Sequence, residues 1–186
     1  MVVLEEKAKE VESLQDRFNR FRKEKLKSLQ LQRNQERKVS DSRADPARMA
    51  ELRITFVEQL KKYYGVPYAK RYHQPDSPRY HAPLFLDCCG LVRRVLRDLK
   101  LEFGFEVGPW NQAYMFDTLP NRYETPEQME PGDLIFAEGK YYKEGAKPQP
   151  GDIVHVEIFL GGGPLGKKVC GSRWGRGAVQ EFDTFE

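Results

Sequence analysis

The sequence predicts an α+β domain, with helices packed on an antiparallel sheet, behind an N-terminal helical extension. Three observations carry that prediction. Apolar residues recur at helical spacing as far as about residue 100. From Ile153 onward they alternate with polar ones at period two. The helices come before a meander of strands instead of interleaving with it.

Residues 4–31 hold no Gly or Pro and are rich in Glu, Lys, Gln, Leu and Arg, all good helix formers. Leu4, Val11 and Phe18 are seven apart, and Leu14 and Phe21 follow two of them by three. This a/d-like seam lasts about three heptads. It fits a coiled-coil helix that recruits a protein partner through residues 1–31, and equally a solvated helix packing on its own domain. Residues 32–44 are polar and lose the period, as a linker would. The chain thus divides into an extension and linker over 1–44 and a folded domain over 45–186.

Asp45-Pro46 is a helix start, with Asp as N-cap and Pro at the first helical position. Leu52, Phe56, Leu60 and Tyr63 give that helix one apolar face, and Gly65 closes it. A stretch rich in Pro and turn residues follows, up to Pro83. Leu91, Val92, Val95, Leu96 and Leu99 then mark a second amphipathic helix beginning at Asp87 to Cys89. PGDLIFA (Pro131 to Ala137) reads as a turn feeding a strand, IVHVEIFL (Ile153 to Leu160) as a strand, and GAVQEFDTF (Gly177 to Phe185) as another after a Gly-rich turn at Gly171 to Gly175. Within the strand at 153–160, Val154, Val156, Ile158 and Leu160 face one way and predict core. Ile153, His155, Glu157 and Phe159 face the other and predict a cleft.

Composition narrows the function. At 186 residues the chain is one ordinary domain plus its extension. With 39% hydrophobic and 12% aromatic residues it is too apolar for wholesale disorder, and with 32% charged residues too polar for a membrane bundle. No apolar run approaches the ~18–20 residues that span a bilayer, so no membrane partner is expected. The start, MVVLEEKAKE, lacks a hydrophobic signal region, and three cysteines, two of them adjacent, make a poor disulfide framework. A reduced, cytoplasmic protein is the expectation. Residues 1–44 carry 12 Lys/Arg against 8 Asp/Glu, and residues 45–186 carry 19 against 20. A neutral domain is not expected to bind nucleic acid.

A cysteine opening a helix is the first candidate for chemistry. The helix N-terminus favours thiolate over thiol, and either Cys88 or Cys89 sits there behind the capping residue Asp87. A buried structural cysteine would look the same. His155 is the only histidine in a regular element, and a Cys–His pair distant in sequence is the pattern of a thiolate nucleophile and its base. A zinc site from Cys88, Cys89, His155 and Cys170 lacks the usual ligand spacings, so neither metal nor cofactor is expected. His73 and His81, in the Pro-rich stretch, are expected to be solvated. Trp110, Gln112 and Tyr114 fit a specificity wall or a loop anchor.

Four blocks in order resemble the NlpC-type cysteine peptidases and amidases, a papain-like family. YYGVPYA resembles its L-G-x-P-Y block, LDCCGLV its D-C-S-G-L-V, PGDLIFA its P-G-D-L-x-F, and GDIVHVEIFLGGG its H-V-G-I-Y-x-G-x-G. The resemblance runs from about residue 50 to the C-terminus. It implies Cys88 as nucleophile, His155 as general base, Tyr68 lining the cleft and helping to hold the oxyanion, and Asp87 contacting a substrate amine. The implied activity is cleavage of a peptide, isopeptide or other amide bond through a thioester, in a peptide or modified-protein substrate.

The sequence departs from the family at three points. Cys89 replaces the Ser after the nucleophile. Glu157 replaces the Gly two after the base. The third polar residue, a His on the next strand, has Val169-Cys170-Gly171-Ser172 in its place, which leaves Cys170, Gln180 or Glu157 to orient the imidazole. The alternative is a weak or inactive NlpC-like module that binds proteins and is anchored by its N-terminal helix.

Overall fold

The structure is a computed structural model that describes residues 20–25, 27, 28, 45–105, 107–123, 125–139 and 150–185. Of the extension, residues 20–25 are helical and Phe21 is exposed. Leu4, Val11, Leu14 and Phe18, the rest of the predicted seam, lie outside the described residues.

Helix α1 (Pro46–Lys61) begins as the sequence requires: the Asp45 side chain accepts the Ala47 N–H at 3.0 Å and Pro46 takes the first helical position. Leu52, Phe56 and Leu60 are buried along one face. The helix ends before Tyr63, which is still buried and whose hydroxyl donates to Asp98. Helix α2 (Cys88–Asp98) buries Cys89, Leu91, Val92 and Val95 at helical spacing. Two short helices, α3 (Lys100–Phe103) and α4 (Gln112–Thr118), occupy what the sequence suggests is irregular connection. Each is under three turns, too short for periodicity to register. Their signals are local: Asn111 caps α4 by accepting the Tyr114 N–H, and Gly104 ends α3 at φ 70°.

Among the described residues, four strands form an antiparallel meander in the order β1-β2-β3-β4: β1 (Leu134–Glu138), β2 (Ile153–Phe159), β3 (Val169–Ser172) and β4 (Val179–Phe182). The core lies between α1, α2 and the sheet, where Leu60, Leu91, Val92, Val95, Val156, Ile158 and Val179 are almost wholly enclosed. Each such side chain contributes about 1.5–3 kcal/mol relative to exposure. Ser172 Oγ donates to Leu86 O at 2.7 Å, which ties the end of β3 to the segment entering α2.

Three expectations need correction. Strand β2 does not present one face to core and one to an open cleft. Ile153, Glu157 and Phe159 are buried as fully as Val156 and Ile158, because Gln112 on α4 and Arg173 after β3 reach over that second face. Gly171 is not part of a turn. It sits inside β3, where a Cβ would lie 2.6 Å from Glu157 Oε1, so glycine is required there to leave room for a carboxylate. His73 also departs from expectation. It is half-buried and edge-on to Phe85 at 5.4 Å, whereas His81 is exposed.

Candidate active site

Cys88 opens α2. Its neighbour Asp87 accepts the Gly90 N–H through Oδ1 at 2.7 Å. A Cβ on Gly90 would approach that oxygen to 2.9 Å, so the glycine is what admits the cap. Aspartate and glycine thus bracket the cysteine for a mechanical reason, holding the first turn in a fixed pose.

The two thiols have different surroundings. Cys88 is half-buried and close enough to His155 that the imidazole lowers its pKa. Cys89 is buried, its Sγ donating to Gln112 Oε1 at 2.9 Å while Gln112 Nε2 donates to Ile153 O at 3.0 Å. Gln112 is therefore an anchor between α2 and β2, although it also lines the cavity beside Cys89. The sulfurs are 3.8 Å apart. That contact, together with burial, holds the Cys88 thiol above its ordinary value, while His155 pulls it down. The helix terminus alone leads one to expect an easily formed thiolate. The adjacent cysteine reverses that, because two sulfurs so close compete for one negative charge.

His155 stands on β2 beside Cys88. Burial would lower its pKa, but the bonds to Cys88 and Glu157 outweigh burial and raise it to about 9. Its Nε2 lies 3.0 Å from Glu157 Oε1. A carboxylate only accepts, so Nε2 carries a hydrogen, and in the neutral ring Nδ1 is the nitrogen without one. Glu157 is almost wholly buried and is clamped by Arg173, Nε to Oε1 at 2.6 Å and Nη2 to Oε2 at 2.8 Å. Burial pushes the Glu157 carboxyl up, but Arg173 and then His155 more than offset it and hold it below the usual carboxylate range. Arg173 is itself fixed, donating to Thr184 O at 3.2 Å and stacking on the Phe182 ring at 3.8 Å.

Of the three candidates for the imidazole's partner, geometry brings Glu157 to the ring. Cys170 is in the core, its thiol pushed up to about 12 by burial and by Glu181 and Glu157. Gln180 is exposed on β4 and donates to Arg176 O at 3.3 Å. Tyr68 is half-buried. Its N–H donates to Gly177 O at 2.9 Å and Pro67 O accepts the Leu86 N–H at 2.9 Å, so its segment runs beside the one leading into Cys88. Arg173 escaped the sequence reading. Its signal was indirect: a buried-face glutamate on one strand needs a cation, and Arg173 directly follows the next one. Among the described residues, no group of three or more His, Cys, Asp or Glu is placed to hold a metal.

No protein-family model matches the chain, and no curated protein does. Among solved structures, the peptidoglycan hydrolase RipB from Mycobacterium tuberculosis is similar in fold, with a TM-score of 0.51 and 20% sequence identity. The match covers 78% of this chain and 64% of that one, so the chain spans less than two thirds of that hydrolase. At this identity the likeness is one of fold alone, helices and an antiparallel sheet arranged as in that structure.

Proposed function

We propose that the chain is a thiol hydrolase of NlpC type that cleaves a peptide, isopeptide or other amide bond. One observation supports this above all: the contacts run unbroken from Cys88 to His155, from His155 to Glu157, and from Glu157 to Arg173. In the neutral form of the ring, which gains population as pH rises toward about 9, Nδ1 of His155 takes the Cys88 proton as Sγ attacks the substrate carbonyl carbon. The first-turn N–H groups of α2, with Tyr68 beside them, hold the developing oxyanion. The C–N bond breaks as the imidazolium gives its proton to the departing amine, leaving a thioester on Sγ. Water then loses a proton to Nδ1, its oxygen attacks the thioester carbon, and the released sulfur regains the proton. Glu157 holds the ring and stabilises its charged form without taking the proton. The likeness in fold to a hydrolase supports the reading, and four sequence blocks in family order support the residue roles.

The test is incubation with p-nitrophenyl acetate, followed by peptide mass spectrometry. An acetyl adduct on Cys88 is expected, abolished in Cys88→Ala and slowed about 100-fold or more in His155→Ala. Acetylation elsewhere, or no dependence on His155, would overturn it.

A second reading, a binding module without turnover, is favoured by one observation: the neighbouring sulfur and burial hold the Cys88 proton in place. It predicts no adduct, together with capture of a protein partner that is lost on deletion of residues 1–44.

A further inference from the structure

We infer that the substrate of this site is an acidic peptide, carried by a basic groove along α2. The inference rests on the thiol-hydrolase reading and adds the chemistry of what is cleaved. Two cavities lie along α2 at the residues adjoining Cys88. One, of about 350 Å³, is lined by Lys70, Asp87, Cys89 and Arg93, among others; the second, of about 240 Å³, adds Arg94 and Arg97 and shares Lys70, Asp87 and Arg93 with the first. They form one path that begins at the residues on either side of Cys88 and follows the helix away from it.

The charge of that path departs from the rest of the domain. Residues 45–186 are neutral overall, yet the path carries four cations and one anion. Arg94 is neutralised by Asp98 at 3.3 Å. Arg93 is satisfied by a backbone carbonyl, that of Trp110, so its charge has no counterion among the described residues. Arg97 is exposed, and among the described residues its guanidinium makes neither hydrogen bond nor ion pair. Arginine held in this way suits carboxylates, which it grips by two parallel bonds.

Spacing favours a peptide over other polyanions. Arg93 and Arg97 are one helical turn apart, roughly 6 Å along α2. Alternate side chains of an extended peptide repeat every ~6.6 Å on one face, so carboxylates two residues apart meet the two guanidinium groups together. Ala69, Leu84, Phe85 and Leu86 line the second cavity and give the peptide's aliphatic parts an apolar floor. The path starts at Asp87 and Cys89, the chain neighbours of the proposed nucleophile.

Binding of a fluorescent hexaglutamate to the full chain, read by anisotropy, tests this apart from catalysis. Hexaglutamate should bind, weaken with rising salt, and slow iodoacetamide labelling of Cys88, while hexalysine should not bind. Arg97→Glu should weaken binding about 5- to 10-fold, and Lys70→Glu, on the opposite wall and also exposed, should do so independently of any folding defect in the first variant. Absence of binding, unchanged binding in both variants, or equal binding of a short oligothymidylate would overturn the acidic-peptide assignment. Binding without slower labelling of Cys88 would overturn the path to the nucleophile. Neither result depends on acetyl transfer to Cys88, which tests the thiol-hydrolase reading separately.

Discussion

At the scale of residues, the site turns on how many groups share one proton. Glu157 lies 3.0 Å from His155 Nε2 and favours the imidazolium. Replacing it by glutamine keeps the volume and removes the charge. The His155 titration, followed by NMR of its ring protons, should then fall from about 9 toward the ordinary 6.5. Turnover should drop about 10- to 100-fold as the ring loses its hold. An unchanged midpoint in Glu157→Gln would mean that the carboxylate does not govern the imidazole. Cys89 acts in the opposite direction on Cys88. Cys89→Ser keeps a donor for Gln112 Oε1 and removes the competing sulfur, so the pH midpoint for Cys88 alkylation should fall. A rise would place the reactive thiol at Cys89.

At the scale of elements, β2 and β3 hold the site between them. Gly171 lies on β3 against Glu157, and Gly171→Ala would place a methyl where the carboxylate now sits. We expect a loss of about 1–3 kcal/mol in urea unfolding, together with a lowered His155 midpoint, because the displaced Glu157 leaves the ring. The stability loss with an unaltered midpoint would show that the sheet yields instead of the glutamate. Strand β3 also marks the limit of what could be read from sequence. The precedence of helices over strands, the Asp45 cap and the faces of α1 and α2 were legible, because each is written in residues close along the chain. Glycines at 171 and 175 suggested a turn, since glycine records only that space is needed and not what fills it. Glu157, a departure from the family pattern, could be weighed only beside Cys170 and Gln180 until pairing between strands put Gly171 across from it. The path lined by Lys70, Arg93 and Arg97 joins a loop to a helix and has no pattern in sequence.

For the whole molecule, the buried charges couple stability to pH. The folded-state pKa of His155 is raised, so its contribution is complete below about 6.5 and is lost as pH climbs through about 9. Glu157 is depressed, so its contribution is present above the ordinary carboxylate value and is lost as pH falls through its lower folded value. Urea midpoints should therefore decline from pH 6.5 to 9 and again in acid, with the alkaline slope shallower in Glu157→Gln. A flat profile over that alkaline range would separate His155 from the folded state's energetics. The most direct measurement is the rate of iodoacetamide labelling at Cys88, Cys89 and Cys170 against pH, by peptide mass spectrometry, in the native chain and in His155→Ala. Burial already disfavours Cys89 and Cys170, so the decisive quantity is the change at Cys88. Loss of His155 should slow Cys88 labelling and move its midpoint further up. A Cys88 profile indifferent to His155 would contradict the thiol–imidazole pair, and the hydrolase with it.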